Sequence, residues 1–315
     1  MTTKDRIIIG TRGSELALWQ ASWVRSELQK LYPSLSVETA IIKTTGDKIL
    51  DSSLSTIGDK GLFTKEIENA LLDHAIDLAV HSLKDVPTNL ADGLTIAAVT
   101  EREDVRDVFV SHPRKKYASF GAVPQGGTIA TGSLRRRCQL LSHRPDLSIV
   151  DIRGNLKTRR TKLENSNWDG MLLAKAGVTR LGWSGIISEV LSPTFILPAV
   201  GQGALAIETR QGDEFLLSTV ARLEHVPTRQ ATDGERALLR FLEGGCQIPI
   251  GTYGRVDSEK FFLDAMVGSI DGTKTIYGAI EGAAADSGKL GTVLAQELLG
   301  KGAKEILQDI RTSKH

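Results

Sequence analysis

Hydrophobic positions in this chain fall into short apolar runs separated by stretches of helical spacing. Arg6–Gly10 has the length of a strand. Ser14–Leu31 repeats its apolar residues at helical intervals, with Ser14 placed to cap the first turn. Val37–Lys43 predicts a strand and Phe63–Leu72 a helix, while Asp77–Val80 and Leu94–Val99 predict two more strands. The polar, glycine-containing stretch from Thr44 to Gly61 is long enough to be a disordered segment or a moving lid. A second alternating series runs through Val108, Thr128–Thr131, Leu134–Ser142, Ser148–Ile152, Leu156–Leu163 and Met171–Ala174. Such alternation predicts α/β sheets with functional loops beyond the carboxyl ends of their strands.

Two segments interrupt that rhythm. Thr100–Asp104 is densely charged and reads as a crossing from one α/β unit to the next, and Leu197–Gly203 reads as the return. Two crossings imply a hinged pair of lobes with a cleft between them. A helical run over Thr228–Leu242 follows. Then come strands at Thr252–Val256, Phe262–Gly268 and Thr275–Ile280, with helices near Gly291–Leu299 and Ala303–Arg311, which make a smaller α+β unit.

Composition narrows the class. The 315 residues are 41% hydrophobic, enough for two or three domains at roughly 100–200 residues each. No apolar run approaches the ~18 residues of a membrane span, and the N-terminus carries no signal-peptide pattern, so a cytoplasmic protein is expected. Cys138 and Cys246 stand far apart without Cys-x-x-Cys spacing, which predicts neither a disulfide framework nor a metal site.

Charge is unevenly distributed. The overall balance is +1, yet Thr131–Leu163 holds nine basic residues against Asp146 and Asp151 alone. Such a run is most often a solvated face. It could also bind nucleic acid, although it has no aromatic residue on which bases could stack. A third reading is a pocket for a ligand with several carboxylates or phosphates. The excess of arginine over lysine suits that bidentate recognition.

Three strand-to-helix turns carry basic residues: Gly10–Ser14, Thr131–Arg136 and Ile152–Arg159. Free backbone N–H groups at a helix start favour an anion, whereas Arg135 and Arg136 in a first turn oppose the helix dipole. A bound anion would offset that cost. Asp85, in His81-Ser82-Leu83-Lys84-Asp85-Val86-Pro87, follows an apolar strand. It is either an exposed surface partner of Lys84 or, among so many cations, the partner of a cation formed during reaction or of a ligand N–H. Cys246 lies between Gly244-Gly245 and Pro249 on a tight loop, which suits a covalent attachment point or a nucleophile as well as a small buried side chain.

Several segments together resemble the porphobilinogen deaminase family: Thr11-Arg12-x-Ser14, Gly58-x-Lys60-Gly61-Leu62-Phe63, His81-Ser82-x-Lys84-Asp85-Val86-Pro87, Ser133-Leu134-Arg135-Arg136, Arg153-Gly154-Asn155, Pro198–Ala204 and Glu243-Gly244-Gly245-Cys246. They keep the family's order over nearly the whole chain. The resemblance implies two lobes of the type II periplasmic-binding-protein fold joined by a hinge, and a small α+β C-terminal domain. The divisions expected are 1–103 with 203–222, then 104–202, then 223–315. It also implies a dipyrromethane cofactor in thioether linkage to Cys246, and no metal.

Under that resemblance the enzyme condenses four porphobilinogen molecules head to tail. Loss of ammonia from each leaves an electrophilic azafulvene cation, which the free α-carbon of the bound pyrrole chain attacks. Hydrolysis then releases hydroxymethylbilane, a precursor in tetrapyrrole and haem biosynthesis. Asp85 is the implied catalytic residue. Arg12, Ser14, Lys84, Thr131, Ser133, Arg135, Arg136, Arg153, Arg159, Arg180 and Gln202 are the implied cofactor and substrate contacts, and Lys60 and Phe63 belong to a mobile loop. A cytoplasmic monomer without nucleic-acid or membrane partners is the family expectation.

Some positions depart from the family pattern. Glu15 replaces a proline, Thr45 a basic residue, Asp59 a glycine, and Gly132 a hydroxyl residue. Arg137 and Lys175 read as surface cations, and Cys138 as a packing residue or a redox-sensitive thiol. A non-catalytic hinged binder of a small anion and a nucleic-acid binder remain the competing classes.

Overall fold

The computed structural model describes residues 5–48, 64–242 and 248–312. Its first sheet contains β1 (Arg6–Thr11), β2 (Ser36–Ile41), β3 (Leu78–Ser82), β4 (Leu94–Val99) and β10 (Leu205–Arg210), in the order β2-β1-β3-β10-β4. The second contains β5 (Asp107–Ser111), β6 (Thr128–Ala130), β7 (Ser148–Val150), β8 (Gly170–Ala174) and β9 (Glu189–Val190), in the order β7-β6-β8-β5-β9. The two orders correspond strand for strand. In each sheet the antiparallel member, β10 or β5, is the strand that arrives from the other lobe. Each lobe is therefore completed by a crossing, and the α/β two-lobed class read from the sequence holds.

Helices cover the sheets as the apolar spacing requires. α1 (Glu15–Leu31) buries Ala17, Ala21, Val24 and Leu28 against the first sheet, and the Ser14 hydroxyl accepts from the Ala17 amide as its cap. Thr45–Lys48 forms one short turn, α2, and Lys65–Leu72 forms α3. The second lobe contributes α4 (Leu134–His143), α5 (Leu156–Glu164) and α6 (Lys175–Arg180). α7 (Glu214–Val220) follows β10. No periodic signal was read there: its apolar residues, Phe215, Leu216, Leu217 and Val220, fill barely two turns.

The C-terminal unit packs α8 (Val226–Phe241), α9 (Ser287–Leu298) and α10 (Lys304–Thr312) on one face of the antiparallel sheet β11 (Ile250–Asp257), β12 (Lys260–Gly268) and β13 (Thr275–Ala283). Phe261, Leu263 and Ala265 alternate inward along β12 and are fully buried. Among the described residues, no helix is long and apolar enough to cross a membrane. Lys60, Phe63 and Cys246, together with most of the stretch read as a lid, lie outside the described residues.

The crossings touch. Gly203 has φ +95°, and a Cβ there would lie 2.4 Å from the Glu103 carbonyl, so only glycine lets the return strand pass the outgoing one.

Candidate active site

Parallel strands that point the same way deliver their following loops to one edge, and here the two lobes bring those edges together. Arg12 and Ser14 follow β1, Lys43 follows β2, and Lys84 and Asp85 follow β3. Arg136, Arg153 and Arg159, and Arg180 follow β6, β7 and β8 in the same way. All of them line one cleft of about 610 Å³, and Arg180 closes its rim by donating from Nη2 to the Gly203 carbonyl at 2.6 Å.

Seven cationic side chains face that space: Arg12, Lys43, Lys84, Arg136, Arg153, Arg159 and Arg180. Asp85, exposed to the cleft, is the one carboxylate among the described lining residues. This imbalance leaves a mark on proton affinities. Lys84 keeps part of its surface open to the cleft, yet protein crowds it densely. Burial, reinforced by the Arg136 charge and only partly offset by Asp85, pushes its ammonium down to about 8. Burial also pushes Arg159 down to about 10, with Arg136 adding to it, and Arg180 to about 10 with Glu103 opposing. Asp107 meets Arg136 and Asp151 lies 3.6 Å from Arg153, but among the described residues no carboxylate forms a salt bridge with Lys84, Arg159 or Arg180. A ligand with several carboxylates would.

Local chemistry explains how the turns are held. Ser133 caps α4 by accepting from the Arg136 amide, and the Thr131 hydroxyl accepts from the Ser133 amide at 3.2 Å. Asn155 caps α5 through Oδ1, which accepts from the Thr158 amide at 2.9 Å. Arg159 Nε donates to the Gly154 carbonyl at 2.8 Å. Arg153 sits 3.6 Å from Asp151, and its buried Nε has no hydrogen-bond partner. A Cβ at Gly132 would lie 2.8 Å from both Asp151 Oδ1 and the Ile152 carbonyl, so a larger residue would have to push β7 away from this turn.

Not every implied contact faces the cleft. Arg135 turns inward: its Nη1 donates to the Leu197 carbonyl at 2.6 Å and its Nη2 to Asp107 at 2.9 Å. Gln202, 1% exposed, donates to the Val105 carbonyl at 2.7 Å and to Asp107 at 2.8 Å. Gln202 lies on the return crossing and Arg135, on α4, bonds that crossing at Leu197; neither lines the cleft. Thr131 and Ser133 shape the turn beneath Arg136.

Two further readings change. Lys175 is no surface cation, since it bonds Asp104 at 2.6 Å beside the first crossing. Cys138 is fully buried and burial drives its thiol up to about 12, which fits packing rather than redox sensing. Lys43 and Asp107 went unread. Lys43 could have been found as a cation just beyond a strand, like Arg12. Asp107 gave no signal, because nothing in its spacing distinguishes it from its acidic neighbours.

Comparison with known proteins bears directly on this cleft. The family model "Porphobilinogen deaminase, dipyromethane cofactor binding domain" matches residues 7–218, and "Porphobilinogen deaminase, C-terminal domain" matches residues 230–300. The chain belongs to the porphobilinogen deaminase family. The porphobilinogen deaminase of Chloroherpeton thalassium is 52% identical over 98% of this chain and 99% of its own length. That of Trichlorobacter lovleyi is 49% identical over 97% and 96%. Among solved structures, the Bordetella pertussis BvgS periplasmic VFT2 domain aligns over 70% of this chain and 86% of its own, at TM-score 0.42 and 14% identity. That likeness is too remote to bear on function.

The dipyrromethane group of the family fits what the cleft offers. It brings two carboxylates per ring to a space where cations exceed acids, where Arg153 Nε is unpartnered, and where lysine and arginine charges are held at a cost.

Proposed function

We propose that this cleft is where the porphobilinogen deaminase reaction takes place, with its cations holding ligand carboxylates and Asp85 acting at the reacting centre. The enzyme is a transferase that joins four porphobilinogen molecules with loss of ammonia and releases hydroxymethylbilane by hydrolysis. The observation that carries the assignment is the set of seven cations around one exposed carboxylate.

When bound, dipyrromethane supplies the nucleophilic carbon onto which the first porphobilinogen is joined. Arg12, Arg136, Arg153, Arg159, Arg180 and Lys84 bind carboxylates, with Ser14 and Ser133 offering hydroxyls at helix starts and Thr131 bracing that second turn. Asp85 accepts from pyrrole N–H groups and balances the positive charge that appears as ammonia leaves. Low dielectric in a protein-lined cleft strengthens both effects. Arg135 and Gln202 act one step back, through the crossings.

Cys246 is the assigned attachment point. Leu242 and Ile248, the described residues on either side of it in sequence, both belong to the core of the C-terminal unit. We divide the chain at 1–103 with 203–222, 104–202 and 223–315, a division supported by the three sheets. In this reading the working form is a cytoplasmic monomer, as the family resemblance implies.

Intact-protein mass spectrometry tests this reading on enzyme from a host that makes porphobilinogen. The expected mass exceeds the bare chain by one dipyrromethane, with colour in Ehrlich's aldehyde test, and Cys246→Ser loses both. A bare wild-type mass without colour would favour a binding protein, and a fully active Cys246→Ser would remove the tether.

A further inference from the structure

Asp107 opens β5 at the point where the first crossing enters the second lobe, and it is fully buried. Its carboxylate accepts four hydrogen bonds from three side chains. Oδ1 takes Arg136 Nη2 at 2.8 Å and Gln202 Nε2 at 2.8 Å. Oδ2 takes Arg135 Nη2 at 2.9 Å and Arg136 Nε at 3.0 Å. Burial works against the charge of Asp107, but the two guanidiniums and their hydrogen bonds outweigh it and hold the carboxyl well below the usual range.

The consequence lies in which hydrogens of Arg136 remain. A guanidinium has five N–H groups. Asp107 takes Nε–H and one Nη2 hydrogen side-on, and the Leu172 carbonyl takes one Nη1 hydrogen at 2.9 Å. One hydrogen remains on each terminal nitrogen, the number a bidentate carboxylate needs. Arg136 lines the cleft, whereas Asp107 does not. We propose that Asp107 is a positioning residue for the condensation: it fixes Arg136 side-on, reserves those two N–H groups for a ligand carboxylate, and ties that guanidinium through Gln202 to the return crossing.

The tie reaches both crossings. Gln202 also bonds the Val105 carbonyl of the first crossing, and Arg135 bonds the Leu197 carbonyl of the second. Arg135 Nε and Gln202 Oε1 are buried without a hydrogen-bond partner, one spare donor and one spare acceptor on the same network. Each could take up another partner without breaking a bond of the network. The proposal rests on the reading of Arg136 as a carboxylate contact.

The test uses the cofactor-loaded enzyme. Asp107→Asn keeps the shape of the side chain but exchanges one accepting oxygen for a donor. The KM for porphobilinogen is expected to rise about tenfold or more, as loss of a charged hydrogen bond implies, with kcat changed by less than about threefold. Adding Asp107→Asn to Arg136→Lys is expected to raise KM by less than about twofold further, because both act through one contact. An unchanged KM in the single variant, or fully additive effects in the double, overturns the proposal.

Should Asp107→Asn fail to fold, the unsubstituted enzyme answers by NMR. The Arg136 Nε–H resonance, assigned by its loss in Arg136→Lys, is expected to exchange slowly and to keep its shift when porphobilinogen loads. Exchange as fast as that of an exposed arginine, or displacement on loading, overturns the side-on grip. An unchanged KM in Arg136→Lys with Nε–H still protected overturns the carboxylate-binding reading instead, and the positioning role falls with it.

Discussion

The cleft and the junction where both crossings meet the C-terminal unit differ in size one way and in charge the other. The junction encloses about 1190 Å³ against about 610 Å³ for the cleft. Most of its charges nevertheless pair with one another, Glu101 and Glu103 excepted. Arg102 pairs with the fully buried Glu235 at 2.8 Å, Arg106 and Lys175 share Asp104 at 2.6 Å each, and Arg255 pairs with Asp264. Glu235 also accepts from the amides of Gly201 and Gly254 at 2.7 Å each. Every cation at the junction has a carboxylate partner. The cleft gathers cations that burial and mutual repulsion make costly to keep charged. What distinguishes the cleft from the larger junction is its cations without a carboxylate partner, Lys84, Arg159 and Arg180.

That contrast breaks most easily at its extremes. Asp85→Asn removes the one carboxylate charge among the cleft's described lining residues and is expected to lower kcat about 10²–10³-fold, the scale of a lost charge-stabilising group. The melting temperature should move by no more than about 2 °C, since an exposed side chain contributes little to the fold. Near-normal turnover would take Asp85 out of the chemistry. Glu235→Ala should do the reverse. It strands a buried guanidinium and two amides, so urea unfolding of the loaded enzyme is expected to show a loss of about 3–5 kcal/mol, with KM unchanged in the folded fraction. If KM rises more steeply than stability falls, the joint is part of the site and the contrast fails.

The sequence reached the cleft through local signals and missed the joint because its signals are not local. Arg12, Ser14, Ser133, Arg153 and Arg159 sit in strand-to-helix turns, where cap residues and dipole-opposing cations stand out within a few positions. Those turns do converge, because the strand order repeats in both lobes. Arg135 is the instructive failure. It shares its turn and residue type with Arg136, and both reach Asp107, but one residue along a helix rotates a side chain by about 100°, enough to turn Arg135 to the Leu197 carbonyl and off the cleft. Glu235, Asp104 and Asp107 find partners 133, 71 and up to 95 residues away. No spacing rule reaches that far. β9, two residues long, and α7, about two turns, carry too few positions for a period to show.

A smaller effect sharpens the contrast within the cleft. The Lys84 ammonium is pushed down to about 8, so in the free enzyme it is charged below that pH and neutral above it. Its charge costs the fold stability below pH 8, and that cost is relieved progressively as pH rises from about 8 towards the ordinary lysine value of 10.5. Anion binding runs the other way, since the charged form is the one that attracts a carboxylate. kcat/KM, which reports free-enzyme groups, is therefore expected to hold up to about pH 8 and then to fall about tenfold per unit. Lys84→Arg should move that alkaline limb beyond the accessible range. A limb at the same pH in Lys84→Arg would belong to another group.

The smallest effect is expected where the two lobes touch in open water. Glu15, a departure from the family's proline, accepts from Lys157 at 3.3 Å across the lobes, with side chains 54% and 72% exposed. Solvent screens such a pair, and holding two long side chains in one geometry offsets most of the attraction, so it is worth at most about 1 kcal/mol. Lys157→Ala should leave kcat/KM within about twofold, with any difference vanishing at raised ionic strength. Stopped-flow turnover at low and high salt measures this. A change above about fivefold that persists in high salt would mean that a fully paired, solvent-exposed contact controls the cleft. Pairing could then no longer mark out the parts of this molecule that only hold it together.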